Sequence, residues 1–159
     1  MMWIMDNFAA LILTHGRPDN VKTYKTLRDC GYTGRIIIVI DDTDKTADQY
    51  HAAFGDQVEV FNKAEVAATF DTADNQDDMR TIVYARNASF DIAKRCGVRY
   101  FVQLDDDYTN FRYRFDSDLR YTTQGTVRLL DTVFTALLSF LVDTGVSTIA
   151  LSQGGDFIG

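Results

Sequence analysis

Arg35-Ile-Ile-Ile-Val-Ile-Asp-Asp-Thr-Asp44 is the stretch that decides the fold class. Aliphatic residues follow one another from Ile36 to Ile40 with no polar alternation. That describes a strand covered on both faces, the habit of a parallel sheet held between helices. The run then breaks into carboxylates and a hydroxyl, so the strand leaves the core and delivers Asp41, Asp42 and Asp44 to its carboxyl end.

Working outward, the same rhythm recurs. Upstream, Ala9-Leu-Ile-Leu-Thr14 reads as a buried strand that stops at His15-Gly-Arg-Pro18. A helix from Val21 to Cys30 follows, with Asp19 or Asn20 as its cap and Gly31 as its stop. Downstream come a short helix over 47–54, a strand over 58–61 and a polar loop over 69–78. The spacing predicts a helix over 79–96 with Ile82, Ala85, Phe90 and Ala93 turned inward. Tyr100 to Leu104 is a strand running straight into Asp105-Asp-Asp107. Phe111 to Phe115 alternates and forms a small hairpin with Arg120-Tyr121, its aromatics read as hairpin packing. A helix over 126–144 carries Leu130, Val133, Phe134, Leu137, Leu138 and Leu141 on one face. A final strand is expected over 148–151. Strand and helix alternate throughout, so the chain is an α/β protein with a mainly parallel sheet and flanking helices.

Composition sets the outer bounds. The 159 residues are 46% hydrophobic and 25% charged, which suits a single globular domain and excludes general disorder. Sixteen basic residues against 23 acidic ones leave a net charge of −7. A negative field of that size opposes autonomous binding to phosphate backbones and leaves Arg112, Arg114 and Arg120 as the local basic cluster. Cys30 and Cys96 stand far apart without zinc-ligand spacing, and read as core thiols in a reducing compartment. No apolar run is long enough for a membrane span, and Met1 to Phe8 lacks a basic region. The expectation is a cytoplasmic protein with no membrane partner.

In a parallel α/β sheet, ligands bind outside the carboxyl ends of the strands. Polar residues collect there three times: Thr14-His-Gly-Arg17, Asp41 to Asp44, and Asp105 to Asp107. In an extended segment residues two apart share a side, so Asp105 and Asp107 face one pocket and Asp106 another. Two carboxylates together repel unless a cation lies between them, and oxygen ligands suit Mg²⁺ or Mn²⁺. Arg86, in the preceding helix, either offers its fork to a diphosphate or pairs with Asp91 on an exposed face. His15 is a stacking or hydrogen-bonding residue of that loop or simply a loop histidine, and His51 reads as exposed.

The order Thr14-His-Gly-Arg-Pro18, Ile40-Asp-Asp-Thr-Asp44, Ala85-Arg-Asn87 and Phe101-Val-Gln-Leu-Asp-Asp-Asp107 resembles the nucleotide-sugar half of GT-A glycosyltransferases. The Leu104-Asp-Asp-Asp-Tyr108 stretch, the aromatic and basic hairpin, the long helix and Ala150-Leu-Ser-Gln-Gly-Gly-Asp-Phe-Ile-Gly159 are similar to phage glycosyltransferases of the TET-associated type, linked to DNA base hypermodification. The resemblance implies a Rossmann-like GT-A nucleotide-diphospho-sugar transferase fold and a nucleotide-diphosphate sugar donor, UDP-linked by preference. It implies a Mn²⁺ or Mg²⁺ cofactor and, as acceptor, a hydroxymethylpyrimidine in phage DNA, with the host cytoplasm as location. Thr14, Arg17, Asp41 and Asp42 would contact the nucleoside, with Arg86 and Asn87 near the base or diphosphate. Asp105 would serve the ribose or the metal, and Asp107 would hold the cation. No catalytic base is identified. The turn after Ile40 departs from the family in lacking its Gly-Ser. Enzymes of this fold continue past the equivalent of Gly154-Gly155, so 1–159 is expected to be the nucleotide-sugar portion, with the acceptor side truncated.

Two other readings fit parts of the chain. Ile36 to Thr46 matches the strand motif of haloacid dehalogenase-like phosphatases, with Asp42 as nucleophile and Asp44 as acid. A nucleotide-sugar-binding module without transfer activity is the other.

Overall fold

The computed structural model describes residues 5–71, 78–122 and 125–152. Its centre is a four-stranded, all-parallel sheet in the order β3-β2-β1-β4. The strands are β1 (Phe8–Leu13), β2 (Arg35–Asp41), β3 (Val58–Phe61) and β4 (Tyr100–Asp105). The helices are α1 (Lys22–Asp29), α2 (Ala47–Phe54), α3 (Lys63–Ala67), α4 (Val83–Arg95) and α5 (Leu130–Thr144). This is the expected α/β, Rossmann-like arrangement. The unalternating runs of β1 and β2 are buried on both sides because each face carries helices.

One face gathers Ala10, Ile12, Ile36, Ile38 and Ile40 beneath Leu27 of α1, Tyr50 of α2 and Leu130, Phe134 and Leu138 of α5. The opposite face packs Ala9, Leu11, Leu13, Ile37 and Val39 under Tyr84, Ala88, Ile92 and Ala93 of α4. The chain steps outward from β1 to β2 to β3, then crosses back so that β4 pairs with the free side of β1. The carboxyl ends of β1 and β4 therefore flank a topological switch point, where open α/β sheets hold their ligands.

Four expectations are corrected. α4 begins at Val83 rather than 79, after a turn in which Arg80 closes onto Asp78. Its inward stripe is Tyr84, Ala88, Ile92 and Ala93; Ile82 lies outside the helix and Phe90 is exposed, its ring meeting Phe101 edge-on at 5.2 Å. α5 begins at Leu130 because the residues before it are committed elsewhere: Val127 N–H donates to Phe111 O, and Leu130 N–H to Cys30 O. Residues 148–151 form no strand; they pair with no other backbone segment among the described residues, and a β-branched run without a ladder has nothing to keep it extended. In addition, Asp19 and Asn20 lie in a 3-10 turn (Pro18–Asn20) and do not cap α1.

The hairpin is present, with bridges between Arg112 and Thr126 and between Phe115 and Tyr121. Where the chain returns from it, Arg128 O packs on Gly31, which has φ +84. A methyl group there would lie 2.2 Å from that oxygen, so only glycine serves as the stop of α1. Cys30 is buried, Cys96 is half-buried, and both are free thiols. No helix among the described residues is long and apolar enough to cross a membrane.

Candidate active site

A cleft of about 530 Å³ opens at the switch point, within the range of small-ligand pockets. The ends of β1, β2 and β4 supply Thr14, His15, Arg17, Asp41, Thr43 and Asp105 to Asp107, and the start of α3 adds Lys63. The turn before α4 adds Arg80 and Thr81. Among the described residues Thr81 Oγ1 is buried without a hydrogen-bond partner, an acceptor and donor left to a polar ligand or water.

The floor is a web of hydrogen bonds among strand ends. Asp106 is the middle carboxylate of the acidic run and is 2% exposed. It accepts from Thr14 Oγ1 at 2.6 Å and meets Arg17 Nη2 at 3.2 Å. The Tyr50 hydroxyl lies 2.8 Å from Thr14 Oγ1 and accepts from Arg17 N–H at 2.9 Å. Burial raises the pKa of Tyr50, and the partial relief from Thr14 and Arg17 does not offset it. Thr23 ties the web to α1, its hydroxyl donating to Asp105 O at 2.5 Å while its N–H donates to Asp106 O. Strand alternation thus sends Asp106 into the floor.

The β2 end is organised by charge. Lys63 Nζ donates to Asp41 Oδ2 at 2.9 Å, with both side chains about nine-tenths buried. His15 Nδ1 sits 2.8 Å from the same oxygen, and Thr43 donates to Asp41 Oδ1 through both its N–H and its hydroxyl. Burial alone would raise the pKa of Asp41; the hydrogen bonds from Thr43, Lys63 and His15 outweigh it and hold the carboxyl below its ordinary range. Asp44 follows the same balance, burial being overcome by bonds from Thr46 and from Gly16 N–H at 2.7 Å.

Of the residues singled out from sequence, Thr14, Arg17, Asp41, Asp105 and Asp107 line this one cleft. Arg86 stands behind Asp105, with its Nη2 at 3.1 Å from Oδ1. Asp42 is exposed and accepts from Lys63 N–H at the start of α3, and Asn87 is exposed and donates back to Val83 O within its own helix. Neither lines the cleft. Asp107 is exposed and makes no side-chain hydrogen bond or ion pair among the described residues.

Sequence reading overlooked Lys63 and Tyr50. Lys63 stands two residues after β3, so the end of the third strand was the signal to inspect. Tyr50 sits mid-helix, and nothing local distinguishes it from a packing tyrosine.

A family model described as TET-associated glycosyltransferase matches residues 8–159. The chain belongs to the TET-associated glycosyltransferase family. It is therefore an enzyme of the glycosyltransferase class, acting between a nucleotide-sugar donor and an acceptor. Neither curated proteins nor solved structures gave a match. Membership displaces the phosphatase reading, and the geometry of this glycosyltransferase agrees. Neither Asp42, which accepts from Lys63 N–H, nor Asp44, which accepts from Gly16 and Thr46, lines the cleft.

Proposed function

We propose that this glycosyltransferase takes a nucleoside-diphosphate sugar, UDP-linked by preference, into the cleft between the ends of β1 and β4. It moves the sugar, with Mn²⁺ or Mg²⁺, to the hydroxyl of a hydroxymethylpyrimidine in DNA. The observation that carries the reading is the division of the cleft into two kinds of wall. Asp105 and Asp107 stand on the β4 side, while the other walls carry Arg17, Lys63 and Arg80, each paired with a carboxylate of its own, Asp106, Asp41 and Asp78.

The donor set suits a hard cation. Asp107 is unengaged and Asp105 half-buried, and among the described residues no third His, Cys, Asp or Glu completes a protein cage. One or two carboxylates with substrate phosphates filling the remaining positions is the usual setting for Mg²⁺. When bound, the cation neutralises charge on the leaving diphosphate.

The chain's own side chains do the rest. Arg86 holds Asp105 in place and limits its repulsion of Asp107. Asp106 fixes Arg17 at the cleft wall, where the side chain is still more than half exposed and its remaining N–H groups can meet an anionic ligand. Lys63 and Thr43 keep Asp41 ionised, and Asp41 holds His15 at the cleft through its Nδ1. Preorganisation of this kind spares the ligand the cost of ordering the site.

A thermal-shift titration with UDP, UDP-glucose, GDP and ADP, with Mn²⁺ or EDTA, tests the proposal on wild type and Asp107→Asn. At a hundredfold excess over Kd a ligand adds about 2.7 kcal/mol, a rise of roughly 5–10 °C for a domain of this size. We expect a Mn²⁺-dependent shift with a uridine nucleotide that Asp107→Asn abolishes without lowering the apo melting point. A shift indifferent to EDTA and to Asp107→Asn removes the metal from the proposal.

A further inference from the structure

We propose that the hairpin between Phe111 and Val127 is the element that grips the acceptor, and that it takes single-stranded or locally unpaired nucleic acid. The inference rests on the transferase reading for its setting but stands on separate observations.

The first is exposure. Tyr113, Phe115 and Tyr121 are 46%, 45% and 51% exposed, and Leu119 at the tip is 81% exposed. The hairpin packing expected of the aromatics is present, the Phe115 and Tyr121 rings meeting edge to face at 5.9 Å, and Tyr113 beside them is exposed. Flat aromatic faces presented to water are what successive unpaired bases stack upon, with little regard for sequence.

The second is charge. Residues 108–128 carry Arg112, Arg114, Arg120 and Arg128 against Asp116 and Asp118, a local surplus of +2 in a chain whose total is −7. The remainder of the chain is thus at −9. Within the segment Arg120 lies 3.8 Å from Asp118 and Arg128 donates to Asp29 O, while Arg112 is exposed and is the side chain best placed to meet a phosphate.

The third is construction. The base of the hairpin is seated on the core by Phe111 and Tyr108, whose rings meet at 6.2 Å. Tyr108 also lies within the field of Asp105, Arg86 and Asp107, so the hairpin springs from the lip of the cleft. At the tip, Asp116 Oδ1 accepts from the N–H groups of Asp118 and Arg120, both at 2.9 Å. That turn holds Leu119 at φ 60, the single non-glycine residue with positive φ among the described residues. An aliphatic side chain held outward at a strained tip has the form of the apolar wedges that enter a base step. Enzymes that modify bases act on single strands or draw the base out of the stack, and a wedge can fill the gap left behind.

Fluorescence anisotropy of the full chain at low salt tests this, with labelled single-stranded DNA, a mismatched duplex and a fully paired duplex. The variants are Leu119→Asn, which keeps a residue suited to positive φ, and Tyr113→Ser and Arg112→Gln, both at exposed positions. We expect wild type to prefer single-stranded and mismatched DNA over the paired duplex. Tyr113→Ser should weaken single-strand binding about tenfold. Arg112→Gln should lower the salt dependence, and Leu119→Asn should erase the preference for the mismatch. Melting points and the nucleotide titration should match wild type. Failure of the nucleotide to bind, with DNA binding and its loss in the variants intact, refutes the donor assignment and leaves the hairpin standing. Equal DNA binding by wild type and variants overturns the hairpin proposal. So does no binding at low salt, or self-association that the same variants abolish.

Discussion

Lys63→Met tests the buried pair at the end of β2. The substitution preserves the length and most of the volume of the side chain while deleting its charge. At 2.9 Å and an effective dielectric near 20, the attraction is about 6 kcal/mol before desolvation is subtracted. Removing one partner leaves the other buried without compensation, which costs about 3–5 kcal/mol in comparable pairs. Asp41 retains Thr43 and His15, so the lower end applies. We expect a loss of about 3 kcal/mol at pH 7, seen as a fall of roughly 6–12 °C in melting temperature by circular dichroism. The double variant Lys63→Met/Asp41→Asn should lose less than the two single losses together, because neither charge is then left alone. The pH dependence follows from Asp41, whose carboxyl is held below its ordinary pKa. A depressed carboxylate contributes stability above its unfolded pKa and loses it as pH falls through the folded one. The gap between wild type and Lys63→Met should therefore be full at pH 7 and close as pH drops below about 4. A Lys63→Met protein within about 0.5 kcal/mol of wild type at pH 7 refutes the argument, since surface pairs behave that way.

Gly31→Ala combines an unfavourable positive φ with a methyl group driven into Arg128 O, and should cost roughly 3 kcal/mol or more in urea unfolding. A loss under about 1 kcal/mol would mean that the chain entering α5 yields easily at that crossing. Tyr50→Phe keeps the ring and strips the hydroxyl shared by Thr14 and Arg17, so stability should fall by about 1 kcal/mol. Its nucleotide titration midpoint should also move to higher concentration, and an unchanged midpoint would show that the loop after β1 holds its shape without Tyr50.

The sheet was legible because its evidence is local: aliphatic runs such as Ile36 to Ile40 and Leu11 to Leu13 state burial on two faces without any partner being known. Boundaries were less so. α5 has a clean apolar face from Leu130 onward, but its start depends on Val127 pairing with Phe111 and Leu130 with Cys30, contacts that no window of sequence contains. Phe90 shows the same gap. Helical spacing put it inward, yet the stripe through Tyr84, Ala88 and Ile92 fills that face and leaves Phe90 on the flank against Phe101. At the cleft, strand ends announced Thr14, Asp41 and Asp105 to Asp107. The partners that give those residues their electrostatic state, Lys63 and Tyr50, come from elements brought near only by the crossovers, and a lysine or tyrosine alone carries no positional signal.

The buried ties of Asp106 also divide the cleft into positions that tolerate redesign and positions that do not. Thr14, Tyr50, Arg17 and Asp106 close a ring of bonds, Thr14 reaching both Tyr50 and Asp106 and Arg17 meeting the same two from the other side, so altering one loosens the others. His15, Arg80 and Asp107 sit at the mouth with their side chains largely in solvent. A library that varies His15 and Arg80 while leaving the circuit untouched changes the lining of the mouth on a constant scaffold. One that includes Asp106 mostly samples misfolding.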